Sequence, residues 1–284
     1  MTIAVTGASG FTGRHLLRAA ARQGRTVSAV TARVTDRRAL AAELAAMAPT
    51  QVLHLAGISH VAHADPRDVH EVNLVGSVNL LEACAALPAT PSRIVLASSA
   101  TVYGPGAALR VSEDAPTRPV THYAVSKLAM EMAARVSAAR LPVVVVRPFN
   151  YTGPGQSTDF LAAKLVEHFR RRAPAIRLGA RDVEREFNDV RFVCEAYLRL
   201  LDRGVPGQTY NLATGRSVSV DDLLEALASL TGHRPEIETE PTLVRPNEIR
   251  ALVGDSSRLA AVVGPLSSFA LRDTLRWMLD APSV

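Results

Sequence analysis

The sequence predicts an α/β protein with a doubly wound parallel sheet, and three observations support this fold class. Short β-branched runs alternate with Ala- and Leu-rich amphipathic stretches through residues 1–150, which is the order of strands and helices in a parallel sheet. A glycine-rich turn stands directly after the first strand-like run. Apolar residues make up 48% of the 284 positions, which is enough to bury a core on both faces of such a sheet.

The predicted elements of the first part of the chain follow one another in a regular order. Val, Ile and Thr favour the pleated conformation, whereas runs with apolar residues three or four positions apart favour helices. The predicted strands are 2–7, 26–32, 51–57, 93–99 and 142–150, and the predicted helices are 13–24, 37–48, one from about Asp68 and one from about His122. These elements predict one domain over residues 1–150.

After residue 150 the alternation loosens. Pro- and Gly-marked loops separate amphipathic stretches, and short strand-like pieces such as TYNLAT lie between them. The predicted helices of this part are 159–172, 190–201, 219–232 and 267–279. Without a repeat or a linker, residues 151–284 are predicted to form a smaller, discontinuous α/β lobe packed on the first domain.

The composition narrows the possible partners. No apolar run reaches the roughly 20 residues that span a bilayer, and MTIAVTGASG lacks the features of a signal peptide, so a cytoplasmic protein without a membrane partner is expected. The net charge of +5 comes almost wholly from arginine, and scattered arginines indicate an anionic small ligand rather than a nucleic acid. Cys84 and Cys194 lie among helix-type apolar residues, so buried thiols and no metal site are expected.

The turn after the first strand, TGASGFTG, has the glycine spacing of a dinucleotide-binding turn. Gly7 permits the tight turn, Gly10 lets the backbone approach a pyrophosphate at the helix N-terminus, and Gly13 lets that helix close on the sheet. Phe11 and Thr12 stand between these glycines, so they are expected beside the cofactor as well. The first domain is therefore predicted to be a Rossmann-type domain that binds NAD or NADP.

The segment after the second predicted strand distinguishes NAD from NADP. An acid about 20 residues after the glycines would bind the ribose 2′-hydroxyl of NAD. Counting from Gly13 leads instead to Arg33, and a guanidinium there pairs with the 2′-phosphate of NADP. Asp36 is expected to end a short strand and face the adenine, and it would serve NAD if the second strand were longer. NADPH is therefore the favoured cofactor, and NAD is the alternative.

A Tyr and a Lys in YAVSK form the predicted catalytic pair. Tyr123 and Lys127 stand four residues apart, so on a helix they share one face. Lys127 is then expected to lie beside the phenol and lower its pKa toward neutral pH. Ser99 ends a predicted strand, where its hydroxyl can bond an oxygen that gains charge during hydride transfer. Ser99, Tyr123 and Lys127 are therefore the predicted catalytic residues.

These motifs resemble those of the extended short-chain dehydrogenase/reductase family, in its nucleotide-sugar branch. The resemblance runs through nearly the whole chain, in TGASGFTG, HLAG, SSATVYG, YAVSK and RPFN. It implies that the C-terminal lobe binds a nucleotide sugar, and that a homodimer forms through the helices carrying Asn73 and Tyr123. The further cofactor contacts that it implies are Leu55, Ala56, Gly57, Asn73, Ser98, Tyr123, Lys127 and Pro148.

The same resemblance implies a set of residues for the substrate. In REFNDV and RPNEIRALVGD, Arg185 and Arg245 would hold the diphosphate of a nucleotide sugar, since guanidinium groups fork onto phosphate oxygens. Asn150 would assist them, and Glu248 would reach the nucleotide ribose. The full set of implied substrate contacts is Ser99, Thr101, Asn150, Arg185, Arg245 and Glu248.

The residues after Ser99 bear on which reaction of the family is possible. The family's 4,6-dehydratases carry a carboxylate there, and neither the methyl of Ala100 nor the hydroxyl of Thr101 can replace that base. Ala-Thr also occurs in 4-epimerases that hold NAD permanently, so this stretch leaves epimerase and reductase open. Arg33 and the phrases HLAG, RPFNYTGPGQ and AYLRLL favour NADPH-dependent 4-keto reduction of a GDP-linked 6-deoxy-4-ketohexose in bacterial polysaccharide sugar synthesis.

Overall fold

The computed structural model describes residues 2–59, 65–105, 110–179, 181, 183–243 and 251–282. The strands are β1 (Thr2–Thr6), β2 (Thr26–Ala29), β3 (Gln51–His54), β4 (Arg93–Ala97), β5 (Val143–Pro148), β6 (Tyr151–Thr152), β7 (Ala175–Leu178), β8 (Glu184–Arg185), β9 (Asn188–Asp189), β10 (Thr209–Leu212), β11 (Val218–Ser219), β12 (Glu236–Thr239) and β13 (Ala251–Leu252). The α-helices are α1 (Phe11–Arg22), α2 (Arg37–Met47), α3 (Pro66–His70), α4 (Gly76–Ala85), α5 (His122–Ser137), α6 (Leu161–Arg170), α7 (Val190–Arg203), α8 (Val220–Thr231), α9 (Ser257–Val263) and α10 (Leu271–Asp280).

A six-stranded parallel sheet forms the centre of the fold, with the strand order β10-β5-β4-β3-β1-β2. Five of these strands lie where the first 150 residues predict them. The sixth, β10, pairs with β5 from Thr209 opposite Val145 to Leu212 opposite Pro148. The predicted Rossmann-type sheet is confirmed, and it takes its sixth strand from the segment that the sequence analysis places in the second lobe.

Helices cover both faces of the sheet because successive side chains of a strand point to opposite faces. Ile3 and Val5 of β1 pack in one core with residues of α1 and α7. Ala4, between them, belongs to a second core with residues of α2, α4 and α5. This alternation gives the doubly wound arrangement that the sequence predicts.

The C-terminal lobe has a core of its own. Buried residues of α6, α8 and α10 form it, and β7, which pairs with β12, covers it with Ile176 and Leu178. In a separate small sheet, β8 lies between β11 and β13. β6 and β9, near the start of the lobe, pair with each other.

The long helix predicted from about Asp68 is interrupted in the structure. α3 ends at His70, a π-helical turn covers Glu71–Val75, and α4 starts at Gly76. A Cβ at Gly76 would come within 2.5 Å of a Val34 methyl group, so the helix packs closely against the loop before α2. The irregular turn carries Asn73, whose side chain is fully buried; π-helical turns are frequent at functional sites.

Membrane-spanning helices, cysteine pairing and metal-binding clusters were all addressed by the sequence-based expectations. None of their helices combines the length and apolar character that a membrane crossing requires. Cys84 and Cys194 are buried free thiols, and in the described part of the chain His, Cys, Asp and Glu side chains form no cluster of metal-binding size.

Candidate active site

The predicted catalytic and cofactor residues gather at the carboxyl ends of β1, β3, β4 and β5, which are neighbours in the central sheet. In open α/β sheets, ligands bind in the crevice outside these strand ends. The site therefore lies where the fold class places one.

The glycine turn between β1 and α1 is too close to its neighbours for side chains. Gly7 has φ +68°, and a Cβ there would lie 2.7 Å from the Ala56 nitrogen. A Cβ on Gly13 would overlap the Gly7 carbonyl oxygen. Gly10 donates a 3.0 Å hydrogen bond to that oxygen and precedes α1 without any side-chain cap. The first N–H groups of α1 are thus left for an anion, and the turn fits a dinucleotide pyrophosphate.

The residues expected to select the cofactor lie between β2 and α2. Arg33 is exposed there. β2 already ends at Ala29, and Asp36 is the N-cap of α2, accepting a 3.0 Å hydrogen bond from the Ala39 N–H. The expectation that Asp36 ends a strand is therefore wrong, because its carboxylate is used to satisfy the helix start. Arg33 remains an exposed charged side chain at the position where the sequence predicts the ribose.

Glu43 of α2 binds the same loop, and the sequence alone does not identify this contact. One carboxylate oxygen accepts from the Thr31 N–H and hydroxyl, both at 2.8 Å, and the other accepts from the Ala32 N–H at 2.7 Å. Burial acts in the opposite direction, yet these bonds hold the pKa of Glu43 below its usual value. The contact spans 11 or 12 residues, a separation at which no local periodicity signals it.

The three predicted catalytic residues are brought together by α5 and the end of β4. Tyr123 and Lys127 lie on α5, whose first turn is capped by Thr121. An interaction with the Ser99 side chain lowers the pKa of the Tyr123 phenol, and Lys127 Nζ donates to the Ala97 carbonyl at 2.8 Å. The Ser99 side chain and the Tyr123 phenol thus lie near each other.

Thr101 shares the Ser99 hydroxyl. Ser99 Oγ accepts from the Thr101 N–H at 3.2 Å and from the Thr101 hydroxyl at 2.9 Å. Ser99 also caps the short 3₁₀ turn Ala100–Tyr103 that follows β4. The hydroxyls of Ser99 and Thr101 therefore form one small polar group beside Tyr123.

The electrostatics of the pair differ from the sequence-based expectation. Burial raises the pKa of Tyr123, and the Ser99 hydrogen bond lowers it only in part. Burial also lowers the pKa of Lys127 to about 8, while Glu131 opposes this. The expectation that Lys127 lowers the phenol pKa is wrong here, because the ammonium bonds to the Ala97 carbonyl and burial dominates at the phenol. A protonated Tyr123 at neutral pH results.

The loop after β3 and the π-helical turn lie beside Lys127. A Cβ on Gly57 would come within 2.9 Å of Asn73 Oδ1 and 3.2 Å of Lys127 Nζ. Asn73 accepts from the Ile58 N–H at 2.8 Å and donates to Ser126 Oγ at 3.0 Å. Asn73 therefore joins the loop after β3 to α5, and Gly57 leaves room for Lys127.

His54, the first residue of HLAG, is a buried link rather than an exposed group. Its Nδ1 is 2.7 Å from the Thr6 hydroxyl and its Nε2 is 2.9 Å from Ser77 Oγ. Burial lowers its pKa to about 3, so the imidazole is neutral. Leu55 and Ala56 follow with their N–H groups on the Thr6 carbonyl and hydroxyl, each at 3.2 Å. These bonds hold the end of β3 beside the glycine turn.

Tyr151 is a further residue at the glycine turn that sequence reasoning did not identify. Its hydroxyl is 2.8 Å from Thr12 Oγ1, and its ring is stacked on Phe11 with centroids 6.0 Å apart. Burial raises the pKa of Tyr151 to about 12. The signal available in the sequence is its place directly after RPFN, which ends β5 at the site.

The expected substrate residues are only partly described. Asn150 is exposed, and its carbonyl accepts from the Asn188 N–H at 2.9 Å. Arg185 is half-buried in β8, opposite Leu252 of β13. The predictions for Arg245 and Glu248 fall outside the described residues.

Ser98 and Pro148 complete the expected cofactor set. Ser98 donates its N–H to the Val146 carbonyl at 2.7 Å, and its hydroxyl is bonded to Glu131 of α5. Pro148 ends β5 and is half-buried beside Leu212 of β10. Both stand at the carboxyl ends of neighbouring strands, Ser98 directly before Ser99 and Pro148 two residues before Asn150.

Comparison with known proteins gives a consistent result. A family model described as the NAD dependent epimerase/dehydratase family matches residues 3–213. The chain is 32% identical over 270 residues to GDP-6-deoxy-D-talose 4-dehydrogenase of Aggregatibacter actinomycetemcomitans, with 93% of this chain and 92% of that protein covered. It is 35% identical over 291 residues to GDP-6-deoxy-D-mannose reductase of Pseudomonas aeruginosa, with 97% and 95% covered.

A solved structure agrees with these relatives. The structure of RMD from Pseudomonas aeruginosa complexed with NADPH superposes with a TM-score of 0.90 at 33% sequence identity. The alignment covers 98% of this chain and 97% of that chain. The similarity therefore extends over both lobes.

Proposed function

Because the chain belongs to the NAD dependent epimerase/dehydratase family, we propose that it is an NADPH-dependent reductase of the 4-keto group of a nucleotide-linked 6-deoxyhexose. A GDP-sugar is favoured, since both curated relatives named above act on GDP-6-deoxy sugars according to their names, one as a dehydrogenase and one as a reductase. The observation that carries the proposal is the grouping of Ser99 with Tyr123, whose pKa it lowers, and Lys127 one turn along the same helix.

The residues of the chain have separate tasks in this reaction. When bound, NADPH would supply the hydride for the carbonyl carbon. Tyr123, whose raised pKa keeps it protonated, donates its proton to the carbonyl oxygen as that oxygen gains charge. Ser99 donates a hydrogen bond to the same oxygen. Lys127, which donates to the Ala97 carbonyl, would stabilise the bound cofactor and the transfer of the proton with its positive charge.

The absence of an acid next to Ser99 agrees with reduction. Ala100 is 2% exposed and Thr101 is bonded to Ser99. Neither group takes a proton from carbon at neutral pH. Elimination of water from the sugar is therefore not supported at these positions.

For the cofactor, the proposal favours NADPH. Arg33 is exposed at the position expected to face the ribose, and Asp36 caps α2. A guanidinium binds a 2′-phosphate through charge-assisted hydrogen bonds. The relative RMD was solved with NADPH, which supports the same choice.

The nucleotide sugar is proposed to lie between the two lobes, with residues 151–284 supplying most of its contacts. Arg185 and Arg245 would bind the diphosphate, Asn150 would assist, and Glu248 would reach the ribose. β8, which carries Arg185, is paired with β11 and β13 on its two sides, and this pairing supports a fixed backbone position for Arg185. A reaction that uses NADPH and a nucleotide sugar also agrees with the expected cytoplasmic location.

We further propose a homodimer in which α5 packs on a second copy of the chain. Val125, Met132 and Val136 lie along one side of α5 and are 41%, 57% and 83% exposed, and Val75 before α4 is 48% exposed. Apolar residues at this spacing form a face that packs against another helix. Light scattering should give twice the chain mass, and Met132→Glu should give the monomer mass, whereas Val205→Glu, at an exposed valine elsewhere, should not.

The function is tested with purified protein, NADPH and the GDP-, dTDP- and UDP-linked 4-keto-6-deoxy sugars in separate reactions. NADPH oxidation should occur, fastest with the GDP-sugar. The alternative is a 4-epimerase with tightly bound NAD. Protein that retains NAD through gel filtration and oxidises NADPH with none of the sugars would support the epimerase and reject the reductase.

A further inference from the structure

Three side chains of α5, spaced four residues apart, each interact with one of three consecutive residues at the end of β4. The pairs are Tyr123 with Ser99, Lys127 with the Ala97 carbonyl and Glu131 with Ser98. Successive turns of a helix place such residues on one face. The first two pairs belong to the proposed catalytic group, and the third, at 2.5 Å, has no assigned role.

Glu131 is held from its other side by an arginine of β5. Arg147 binds it through two hydrogen bonds, Nε to Oε1 at 2.9 Å and Nη2 to Oε2 at 2.6 Å. The two side chains are 2% and 1% exposed. Arg147 also donates to the Tyr103 hydroxyl at 3.0 Å, and that hydroxyl donates to Asn211 of β10 at 2.6 Å. The carboxylate is therefore fixed by a network that crosses β4, β5 and β10.

Stability alone does not explain an ion pair at this place. Removing two charges from water costs about as much as their attraction returns, so apolar side chains of similar volume often stabilise a core equally well. What a bidentate pair provides is a defined geometry. Here that geometry is imposed on Ser98, the neighbour of Ser99, and on the helix that carries Tyr123.

We propose that Glu131 is a positioning residue of the reaction: held by Arg147, its carboxylate binds Ser98 and so sets the place of Ser99 relative to the α5 residues Tyr123 and Lys127. The inference rests on the proposed function, because it assumes that these three residues carry the chemistry. It assigns the buried pair a task that neither the family model nor the names of the relatives contain.

The charge of Glu131 has a second effect on the same group. Two titratable side chains act on Lys127: Glu131 on the same helix and His54 of β3. Arg147 is bonded to Glu131. His54 is neutral because burial lowers its pKa to about 3. Tyr123, the other titratable neighbour on α5, has a raised pKa and is neutral as well. Glu131 is thus the negative group that opposes the loss of the Lys127 proton.

The proposal is tested with two variants that separate charge from contact. Glu131→Gln keeps the shape and removes the charge, and Ser98→Ala removes the contact and leaves the ion pair intact. The chain contains two lysines, Lys127 and Lys164. In protein labelled with ¹³C at the lysine side chains, Lys127 can therefore be titrated by NMR with Lys164 as an internal reference.

In Glu131→Gln, the Lys127 midpoint should fall by about one pH unit, because an opposing charge is lost, while the Lys164 signal stays as in wild type. In Ser98→Ala the Lys127 titration midpoint should stay at its wild-type value. Its kcat should fall by about tenfold while KM for the sugar changes by less than about twofold, because the lost interaction acts in the transition state. Asp202→Asn, which breaks the remote Arg25–Asp202 ion pair, should change neither quantity.

Circular dichroism establishes that each variant is folded. A wild-type kcat in Ser98→Ala overturns the positioning of Ser99 by Glu131, and an unchanged Lys127 midpoint in folded Glu131→Gln overturns the second effect, on the Lys127 charge. If Glu131→Gln does not fold, the kcat of Ser98→Ala decides alone. If wild type reduces no sugar, the proposed function fails, and the lysine titration still shows whether Glu131 acts on Lys127.

Discussion

The hydroxyl groups of Thr12 and Tyr151 are 2.8 Å apart although 139 residues separate them in the chain. Thr12 lies in the first turn of α1, at the glycine turn, and Tyr151 begins the segment that leaves the central sheet after β5. The ring of Tyr151 also stacks on Phe11. The cofactor turn and the start of the C-terminal lobe are thereby joined directly.

Loss of the Tyr151 hydroxyl should weaken the cofactor turn without removing the packing. Tyr151→Phe keeps the ring on Phe11 and leaves Thr12 without its partner. We expect NADPH to bind more weakly by about 0.5 to 1.5 kcal/mol, the usual net value of one hydrogen bond, in a fluorescence titration. Tyr210 of β10, whose hydroxyl accepts from the Val205 N–H, provides the control, and Tyr210→Phe should bind NADPH as wild type does. Equal losses of NADPH affinity in both variants would show that the Thr12–Tyr151 contact has no specific effect on the cofactor turn.

Arg33 should determine the preference for NADPH over NADH. Wild type should bind NADPH more tightly by about 1 to 3 kcal/mol, the contribution of a charge-assisted contact. Arg33→Ala should lose this difference, because Asp36 and Glu43 are engaged elsewhere. Arg140→Ala, at an exposed position before β5, is the matched control. Equal affinities for both cofactors in wild type would contradict the prediction.

Tyr123 and Ser99 should differ in how much rate their loss removes. Tyr123→Phe removes the proton and should lower kcat by about 10² to 10⁴ with NADPH binding nearly unchanged. Ser99→Ala should cost less, because the Thr101 hydroxyl, 2.9 Å from Ser99 Oγ, can supply part of the missing hydrogen bond. Steady-state kinetics with the 4-keto substrate measure both. A Tyr123→Phe enzyme with wild-type kcat would show that another group donates the proton.

Arg185 should contribute to binding rather than to the chemical step. A contact with a diphosphate remote from the reacting carbonyl stabilises ground state and transition state alike, so Arg185→Ala should raise KM by about tenfold and leave kcat within about twofold. Arg234→Ala, which breaks an exposed pair with Glu225, should change neither. A fall in kcat with constant KM would place Arg185 nearer the reacting atoms than proposed.

His54 should make the folded state sensitive to acid. Its pKa is about 3 in the folded protein, against an ordinary histidine value of 6.5, so the unfolded chain binds more protons between these two values. Stability is therefore complete above about pH 6.5 and falls as the pH approaches about 3. In His54→Asn the loss of unfolding free energy between about pH 7 and pH 4 should be smaller than in wild type.

Denaturant unfolding at a series of pH values measures this slope. His168→Asn, at a half-buried helix position, is the control and should keep the wild-type slope. The same slope in His54→Asn would mean that other groups cause the acid sensitivity.

Most of the fold was predicted from sequence patterns that repeat within a few residues. The β-branched runs place β1 to β5, and the spacing of Tyr123 and Lys127 places both on α5. The TGASGFTG turn is recognisable because each glycine meets backbone directly. Such features depend on backbone conformation and helix or strand period, which neighbouring residues determine.

The cofactor loop shows the limit of counting along the chain. Distance from the glycines leads to Arg33, and the structure leaves it exposed. The same count cannot tell whether Asp36 faces a ribose or caps α2, since both need an acid at the end of a loop. The start of α2 decides it, through the bond from Ala39.

The sequence by itself determined the parallel α/β fold class and the glycine turn, and it predicted the group of Ser99, Tyr123 and Lys127. Only the tertiary structure decided that β10 completes the sheet, that burial raises the pKa of Tyr123, and that Glu131 is held between Ser98 and Arg147. The physical reason is separation along the chain. Contacts between distant segments, and the desolvation that they cause, follow from packing and leave no period in the sequence.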